Sequence, residues 1–266
     1  MNNKTNLQAA RKISFSEFKT WKECPYKHKL SYIDGLKSFR GNLFSAFGTA
    51  MHEVCENILL NTEEENSKVF NSSFSREIKA IENLGIELDE EFKKELHLQA
   101  EPIYSIIADE LKAKFGKYEV VSVEEPLFEK IDEFESFGRS FKGFIDAVIK
   151  TPDGKFHLID WKTCSWGWPA RKKSDPVVNY QLTFYKNYFC KKNNVDPSNV
   201  NTMFILLKRT AKKEKIEFVE VTSGTKKTKN SLNVLQNAVI NIENNVYLKN
   251  RLSCKYCDFH NTENCK

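Results

Sequence analysis

The stretch GFIDAVIKTPDGKFHLIDWKT, residues 143–163, constrains the fold more than any other part of the chain. Two segments rich in β-branched and aromatic residues flank the turn sequence TPDGK, residues 151–155. Gly154 suits the left-handed position of a short hairpin loop. The stretch therefore predicts an antiparallel β-hairpin.

Charged residues interrupt both strands of this hairpin. With the turn centred on Asp153, residue 146 lies opposite residue 160, and opposed residues share a face of the sheet. Asp160 and Lys162 are two positions apart, so they share that face as well. Asp146, Asp160 and Lys162 therefore converge, and the other face is predicted to point into the core. Its residues are Ile145, Ala147, Ile149, Ile159 and Trp161.

Two carboxylates at one spot repel each other unless one is protonated or a cation lies between them. Oxygen ligands suit Mg²⁺ or Mn²⁺. A lysine beside such an ion could orient a water molecule and stabilise negative charge on a phosphate. The alternative is an exposed face on which Asp and Lys form an ordinary cross-strand ion pair.

The remaining sequence predicts one α/β domain. Helices are expected over 14–36, with a break at Pro25, and over 44–60, 178–192 and 228–250, and strands over 118–131, 201–210 and 215–222. This order favours a central mixed β-sheet flanked by helices. Residues 1–13 are predicted to be a flexible tail, residues 14–266 a single domain, and residues 61–117 a helical insertion.

Composition narrows the classes of protein that the chain can belong to. The 266 residues are 40% apolar, contain no long apolar run and start without a secretory signal, which indicates a cytoplasmic protein with no membrane contact. The Lys- and Asn-rich composition suggests an AT-rich genome, so the cell is expected to be a bacterium or a phage-infected host. Seven cysteines, an odd number, argue against a disulfide framework. The net charge is +5, and basic clusters at 170–173, 207–215 and 225–230 make a polyanionic partner plausible.

Other polar residues can join the hairpin carboxylates. His52 follows Gly48 by one helical turn and offers an imidazole, and Gly48 would let another backbone approach closely. Gln181 and Tyr185 are four residues apart, so they lie on the same face of a helix. Glu124 and Glu125 on the preceding strand could add a further carboxylate. His52 alone could equally be a structural residue.

The series GxxxH, GxxD, DxK within DWKT, and QxxxY resembles the RecB-like branch of the PD-(D/E)xK nuclease superfamily. The resemblance runs from about residue 14 to the C-terminus and implies a restriction-endonuclease-like core and a metal-dependent nuclease. It implies that His52, Asp146, Asp160 and the carbonyl of Trp161 hold Mg²⁺ or Mn²⁺. Lys162 would be the catalytic lysine, and Gln181 and Tyr185 would complete the site.

Cysteines stand at both ends of the resemblance. A CxxC pair alone could bind zinc, act in redox chemistry or do neither, but a fourth cysteine lies far upstream, before a proline. The arrangement resembles the iron–sulfur subgroup of this branch, which includes the AddB-type nucleases and the CRISPR-associated RecB-like exonucleases, with possible stand-alone phage homologues. The resemblance implies a [4Fe-4S] cluster that joins the N-terminal helical region to the segment 251–266, with zinc, using His260, as the alternative. Its ligands would be Cys24, Cys254, Cys257 and Cys265.

The loop that follows the catalytic lysine interleaves aromatic and basic side chains, a pattern typical of single-strand binding. The predicted DNA-binding residues are Trp166, Trp168, Arg171, Lys172 and Lys173; a loop anchored by buried tryptophans is the alternative. The predicted function is an exonuclease on single-stranded DNA ends in recombination, repair or DNA processing. Since no Walker motif is present, unwinding would require a helicase or recombination partner. Two alternatives stay open, a DNA-binding scaffold with a vestigial centre and a zinc-stapled RNA or nucleotide hydrolase.

Overall fold

The computed structural model describes residues 11–36, 41–131 and 138–266. The fold is α/β with a mixed sheet and flanking helices, as the sequence predicted. The chain divides into two compact units, each assembled from segments that are distant in sequence. The first comprises residues 1–39, 126–144 and 224–266, and the second comprises residues 40–125 and 145–223. The prediction of one domain over 14–266 stays a prediction.

The helices of the second unit are α3 to α7. Helix α3 spans Leu43–Leu60, α4 Asn66–Glu82, α5 Glu90–Phe115, α6 Ala170–Lys173 and α7 Pro176–Asn193. Helix α3 begins with a capping box in which the Asn42 side chain accepts from Ser45 N and the Ser45 hydroxyl accepts from Asn42 N. The segment 61–117, which was predicted to be helical, contains α4 and α5.

Strands β2, Glu119–Lys130, and β3, Ser140–Lys150, contribute residues to both units. In the second unit β3 pairs antiparallel with β4, Phe156–Cys164, and β4 pairs parallel with β5, Val200–Lys208. Strand β6, Ile216–Glu220, closes an antiparallel hairpin on β5. Ala147 pairs with Ile159, and this register is the one predicted from the turn. Gly154 has φ of +83°, as the turn requires.

Helices cover both faces of this sheet. Ala147, Ile149, Ile159 and Trp161 are buried in one core with residues of α3, so the predicted inward face is confirmed. The core also takes apolar residues from α4 and α5, which makes the 61–117 segment part of the main core and not an appendage. On the opposite face α7 packs against β4, where Phe189 contacts Phe156 at 5.6 Å between ring centroids.

The first unit contains the N-terminal helices and the C-terminal segment. Strand β1, Lys12–Ser14, pairs parallel with the start of β3. The tail predicted over 1–13 is therefore wrong for Lys12 and Ile13, because Ile13 is fully buried and belongs to a strand; residues 1–10 lie outside the described ranges. Helix α1, Phe15–Glu23, is capped by Ser14, α2 spans Pro25–His28, and a π-helical turn spans Lys29–Ile33.

The last helix of this unit, α8, spans Thr225–Glu243. It was expected to extend to residue 250, but Asn245 adopts a left-handed φ of +55° and the helix stops before it. A 3-10 helix, Arg251–Tyr256, follows. Within residues 11–36, 41–131 and 138–266, no helix combines the length and apolar character needed to cross a bilayer.

Candidate active site

The predicted nuclease residues come together in the second unit, where residues from the middle of β3 and β4 meet residues of α3 and α7. Trp161 N donates to Asp146 Oδ2 at 2.8 Å, which links the two strands of the hairpin through a carboxylate. Lys162 forms an ion pair with Asp160 Oδ2. Asp146, Asp160 and Lys162 therefore converge at one place, as the register predicted.

His52 reaches the same place from α3. Its Nε2 lies 3.0 Å from the Trp161 carbonyl oxygen, and its Nδ1 lies 3.4 Å from Asp146 Oδ2. Burial lowers the pKa of His52 and outweighs the opposite effect of Asp160, so the neutral imidazole is favoured at neutral pH. If Nε2 donates to the carbonyl, Nδ1 carries a lone pair that faces the Asp146 carboxylate.

Helix α7 supplies the remaining pair. Gln181 Nε2 donates to Asp160 Oδ1 at 2.5 Å and also lies 3.3 Å from the Tyr185 hydroxyl. Both oxygens of the buried Asp160 are therefore engaged, one by Gln181 and one by Lys162. Gln181 orients this carboxylate and also contacts Tyr185, so the two residues of the QxxxY pattern lie next to Asp160.

The electrostatics of the site favour a cation. Burial raises the pKa of Asp146 well above its usual range, and the neighbouring Asp160 raises it further. Burial lowers the pKa of Lys162, but Asp160 and Asp146 outweigh it, so the pKa is raised and the ammonium stays charged. One lysine does not offset two carboxylates, of which Asp160 is buried and Asp146 half-buried, and additional positive charge would be stabilised here.

The donor set fits a divalent ion in kind. Carboxylate and carbonyl oxygens with one imidazole nitrogen are ligands that suit Mg²⁺ or Mn²⁺. In the part of the chain that the structure describes, however, no three His, Cys, Asp or Glu side chains form a ready-made metal site. Instead, Lys162 forms an ion pair with Asp160, and His52 forms a hydrogen bond with the carbonyl oxygen of Trp161.

Glu56 is a further carboxylate on the His52 side of α3 that the sequence motifs did not indicate. It lies four residues after His52 on α3, a spacing that puts both side chains on one face, so the signal was present. Burial raises the pKa of Glu56 to about 7, with further contributions from Glu124 and Glu53. Glu124 has φ of +47°, which disrupts the alternation of β2. Glu125, in contrast, forms an ion pair with Lys192.

Gly48 does not have the role that was expected of it. A Cβ atom at this position would lie 3.4 Å from Thr163 Oγ1, which is ordinary van der Waals contact. Among the residues that the structure describes, no backbone atom outside α3 lies close enough to require a glycine here.

The five residues predicted to bind DNA, in the loop after Lys162, differ in their exposure. Trp166 is 77% exposed, and Arg171 and Lys172 are exposed. Trp168 is 8% exposed and packs on Phe204 at 5.1 Å between ring centroids, so its ring is not offered to a base, and this part of the prediction is wrong. Lys172 lies over the Trp168 ring, and Lys173 forms an ion pair with Glu217.

The cysteines predicted to bind a cluster all lie in the first unit. A cavity of about 380 Å³ is lined by four cysteines, Cys24, Cys254, Cys257 and Cys265, with His260 also in its wall. The donors are thus of the right kind and face one space. Among the described residues they do not form a metal-binding group as placed, so the predicted cluster is not shown.

The C-terminal segment is nevertheless attached to α1 and α2 without a cluster. Asn250 Nδ2 and Ser253 Oγ both donate to the Glu23 carbonyl oxygen, at 2.8 and 2.7 Å. Asn250 N donates to Cys24 Sγ at 3.3 Å, and Tyr26 OH donates to the Asn264 carbonyl oxygen at 3.2 Å. Hydrogen bonds thus hold the two segments together.

The chain is similar in fold to a solved structure. A crystal structure from Eubacterium rectale, described as a "Putative exonuclease", matches with a TM-score of 0.56 and 13% identity, over 98% of this chain and 93% of that one. The crystal structure of SSO0001 matches with a TM-score of 0.35 and 16% identity, over 92% and 93% of the two chains. No curated protein matches significantly.

A family model provides the identification. The model that describes the PD-(D/E)XK nuclease superfamily matches residues 12–262, which include the hairpin, His52 and the α7 pair. The chain therefore belongs to the PD-(D/E)XK nuclease superfamily.

Proposed function

We propose that the chain is a divalent-metal-dependent deoxyribonuclease that acts as an exonuclease on single-stranded DNA ends. The observation that carries the proposal is the convergence of two carboxylates, an ammonium and a neutral imidazole: Asp146, Asp160, Lys162 and His52. A vestigial scaffold has no need for two carboxylates at one place, because their mutual repulsion costs free energy.

Each side chain has a distinct part in this proposal. Mg²⁺ or Mn²⁺, the ions that the superfamily generally uses, would polarise the phosphate and acidify a water molecule. His52, Asp146, Asp160 and the Trp161 carbonyl would hold the ion. Lys162, which is paired with Asp160, would donate hydrogen bonds to a water molecule and to the charged phosphate.

Substrate preference rests on the loop after β4. Trp166 exposes an aromatic face, and Arg171 and Lys172 supply positive charge beside it, which suits an unpaired strand. The description of the Eubacterium rectale protein supports an exonuclease. We place the activity in recombination, repair or DNA processing in the cytoplasm, where a helicase or recombination partner would expose the strand.

We also propose that the four cysteines hold a [4Fe-4S] cluster, with zinc as the alternative occupant. Support comes from their shared cavity and from their position between the two ends of the first unit. The thiols would have to move toward one point on binding. Iron, sulfide and zinc analysis of anaerobically purified protein, wild type against Cys257→Ser, distinguishes the two.

The activity is tested with end-labelled oligonucleotides. Linear single-stranded, circular single-stranded and duplex DNA are incubated with Mg²⁺, Mn²⁺ or EDTA. We expect degradation of the linear single strand only, and only with a metal. The Lys162→Ala variant should be inactive, and Lys155→Ala, which removes a lysine from the exposed turn of the same hairpin, should retain activity.

Other results would contradict the proposal. Activity that persists in Lys162→Ala would point to a contaminant. Tight DNA binding with no cleavage under any metal would indicate a scaffold. Faster cleavage of RNA than of DNA at equal concentrations would indicate an RNA hydrolase.

A further inference from the structure

Arg209 directly follows β5 and is a buried cation. It lies near the end of β4, the strand that contains Lys162. Its backbone N donates to the Cys164 carbonyl oxygen at 2.9 Å, which fixes it beside the end of β4. Its guanidinium donates to Gln99 Oε1 at 3.1 Å and to Ser165 Oγ at 3.2 Å. Both of these acceptors are neutral.

Within the described residues, no carboxylate lies within ion-pair distance of Arg209. The neighbouring cations differ, because Lys208 and Lys173 both pair with Glu217. Burial lowers the pKa of Arg209, and Cys164 and Glu95 offset only part of this effect. A buried guanidinium with neutral partners is costly, and an anion that approached it would be bound strongly.

An aromatic ring lies against this guanidinium. The Arg209 Cζ atom is 4.7 Å from the centroid of Phe44 and 5.7 Å from that of Phe47. Phe47 is buried, but Phe44 is 49% exposed. Phe92 supports Phe44 edge-on at 5.2 Å. The ring is thus held in place while one part of it faces solvent.

The pair lies in line with the catalytic residues. Along α3, Phe44, Gly48 and His52 are each one turn apart, with Thr163 beside Gly48 and Trp161 beside His52. Eight residues of helix span about 12 Å, which corresponds to ~3–4 stacked nucleotides at ~3.4 Å each.

We propose that Arg209 and Phe44 form a second contact for the single strand, in which Arg209 binds a phosphate and Phe44 stacks on the adjacent base. The phosphate lies a few nucleotides from the bond that is cut. This subsite deepens the proposed nuclease function and rests on it. It explains an exposed aromatic residue and an unpaired cation with one ligand, an oligonucleotide.

The test measures binding of labelled oligothymidylates by fluorescence anisotropy in a Lys162→Ala background, which prevents cleavage. For an oligothymidylate of roughly 12 nucleotides, Arg209→Gln should lower the binding affinity about 10-fold. It should also reduce the slope of log K against log salt concentration by about 0.7, because one phosphate contact is lost. Arg209→Lys should keep the salt slope. Phe44→Leu should lower affinity about 5-fold or more with an unchanged slope.

Matched controls separate this from general charge or packing. Lys68→Gln removes a charge from an exposed position on α4, and Phe128→Leu removes a ring that is 46% exposed, similar to Phe44. Neither should change affinity. A dinucleotide cannot span the ~12 Å, so its binding should be the same in all variants.

Two results would overturn the subsite. The first is an unchanged salt slope in Arg209→Gln with normal thermal stability, and the second is an equal loss for the dinucleotide and the longer strand. A lowered melting temperature without a binding change would show that Arg209 is only structural. If the otherwise wild-type protein cleaves DNA, the proposed function survives each of these results; if it neither binds nor cleaves any oligonucleotide, both proposals fail.

Discussion

The ammonium of Lys162 is paired with the carboxylate of Asp160, two residues before it on the same strand, while Gln181 holds the other oxygen of that carboxylate. Asp160 is buried, and Lys162 is partly exposed. The lysine therefore has two effects: it offsets a buried negative charge and it presents a donor to the site.

Replacing Lys162 should affect stability and activity separately. Lys162→Met should reduce cleavage by about 10³-fold or more and lower the free energy of unfolding by about 1–3 kcal/mol, because Asp160 loses its partner. The double variant Asp160→Asn, Lys162→Met should regain most of the stability and none of the activity. Urea unfolding and initial cleavage rates measure the two; a double variant as unstable as Lys162→Met would contradict the charge argument.

The pKa of Glu56 predicts a pH dependence of stability without metal. Its folded-state pKa, about 7, exceeds the ordinary value of 4.5. The folded state therefore binds this proton more tightly, and the group's stabilisation is present below pH 4.5 and is lost as the pH rises through about 7. Glu56→Gln should be more stable than wild type at pH 8 by about 1 kcal/mol, a value reduced for solvent screening, and equal at pH 4.

Thermal melts at both pH values in EDTA measure this difference. Glu101→Gln, at an exposed position on α5, is the control, because Glu101 is not among the groups that shift the pKa of Glu56. An equal gain at pH 4 and pH 8 would show that packing, and not titration, causes the change.

The hairpin and its site could be predicted because they depend on local rules. The turn sequence fixed the register, and the two-residue repeat of a strand then determined that Asp146, Asp160 and Lys162 share a place. The spacing of four residues placed Gln181 and Tyr185 together in the same way.

Tertiary packing determined what the sequence could not show. Trp166 and Trp168 are two residues apart in the same loop and have identical side chains, but only Trp168 packs on Phe204 and is buried. Likewise, Arg209 is one member of a basic cluster, and only the fold separates it from the carboxylates that pair with its neighbours. The parallel pairing of β1 placed Ile13 in the interior of a chain end that looked mobile.

Gly48 should tolerate alanine. The added Cβ fits beside Thr163 Oγ1 at 3.4 Å, and alanine favours a helix interior by up to ~1 kcal/mol over glycine. Gly48→Ala should therefore keep cleavage within about 3-fold and raise the melting temperature. Gly48→Val, whose branched side chain extends toward Thr163, should lose activity. Inactivity of a stably folded Gly48→Ala would show that substrate needs the space.

The two tryptophans of the loop should behave in opposite ways. Trp168→Ala removes a buried ring from Phe204 and should cost about 3–5 kcal/mol of stability. Trp166→Ala should change stability by less than about 0.5 kcal/mol and weaken binding of single-stranded DNA. Urea unfolding and oligonucleotide anisotropy check both variants. Loss of DNA binding in Trp168→Phe, which preserves most of the packing, would contradict the assignment.

The hydrogen bonds of Asn250 should hold the C-terminal segment whether or not a cluster is present. Asn250→Ala removes bonds to the Glu23 carbonyl, to Ser253 Oγ and from Leu252 N, and should cost about 1–2 kcal/mol of stability. Limited proteolysis should then cleave near residues 251–266 sooner than in the wild type. Cys257 takes part in none of these three bonds, so Cys257→Ser should leave the proteolysis of metal-free protein unchanged. If this variant is cleaved faster than the wild type only after anaerobic iron reconstitution, a cluster also holds the segment.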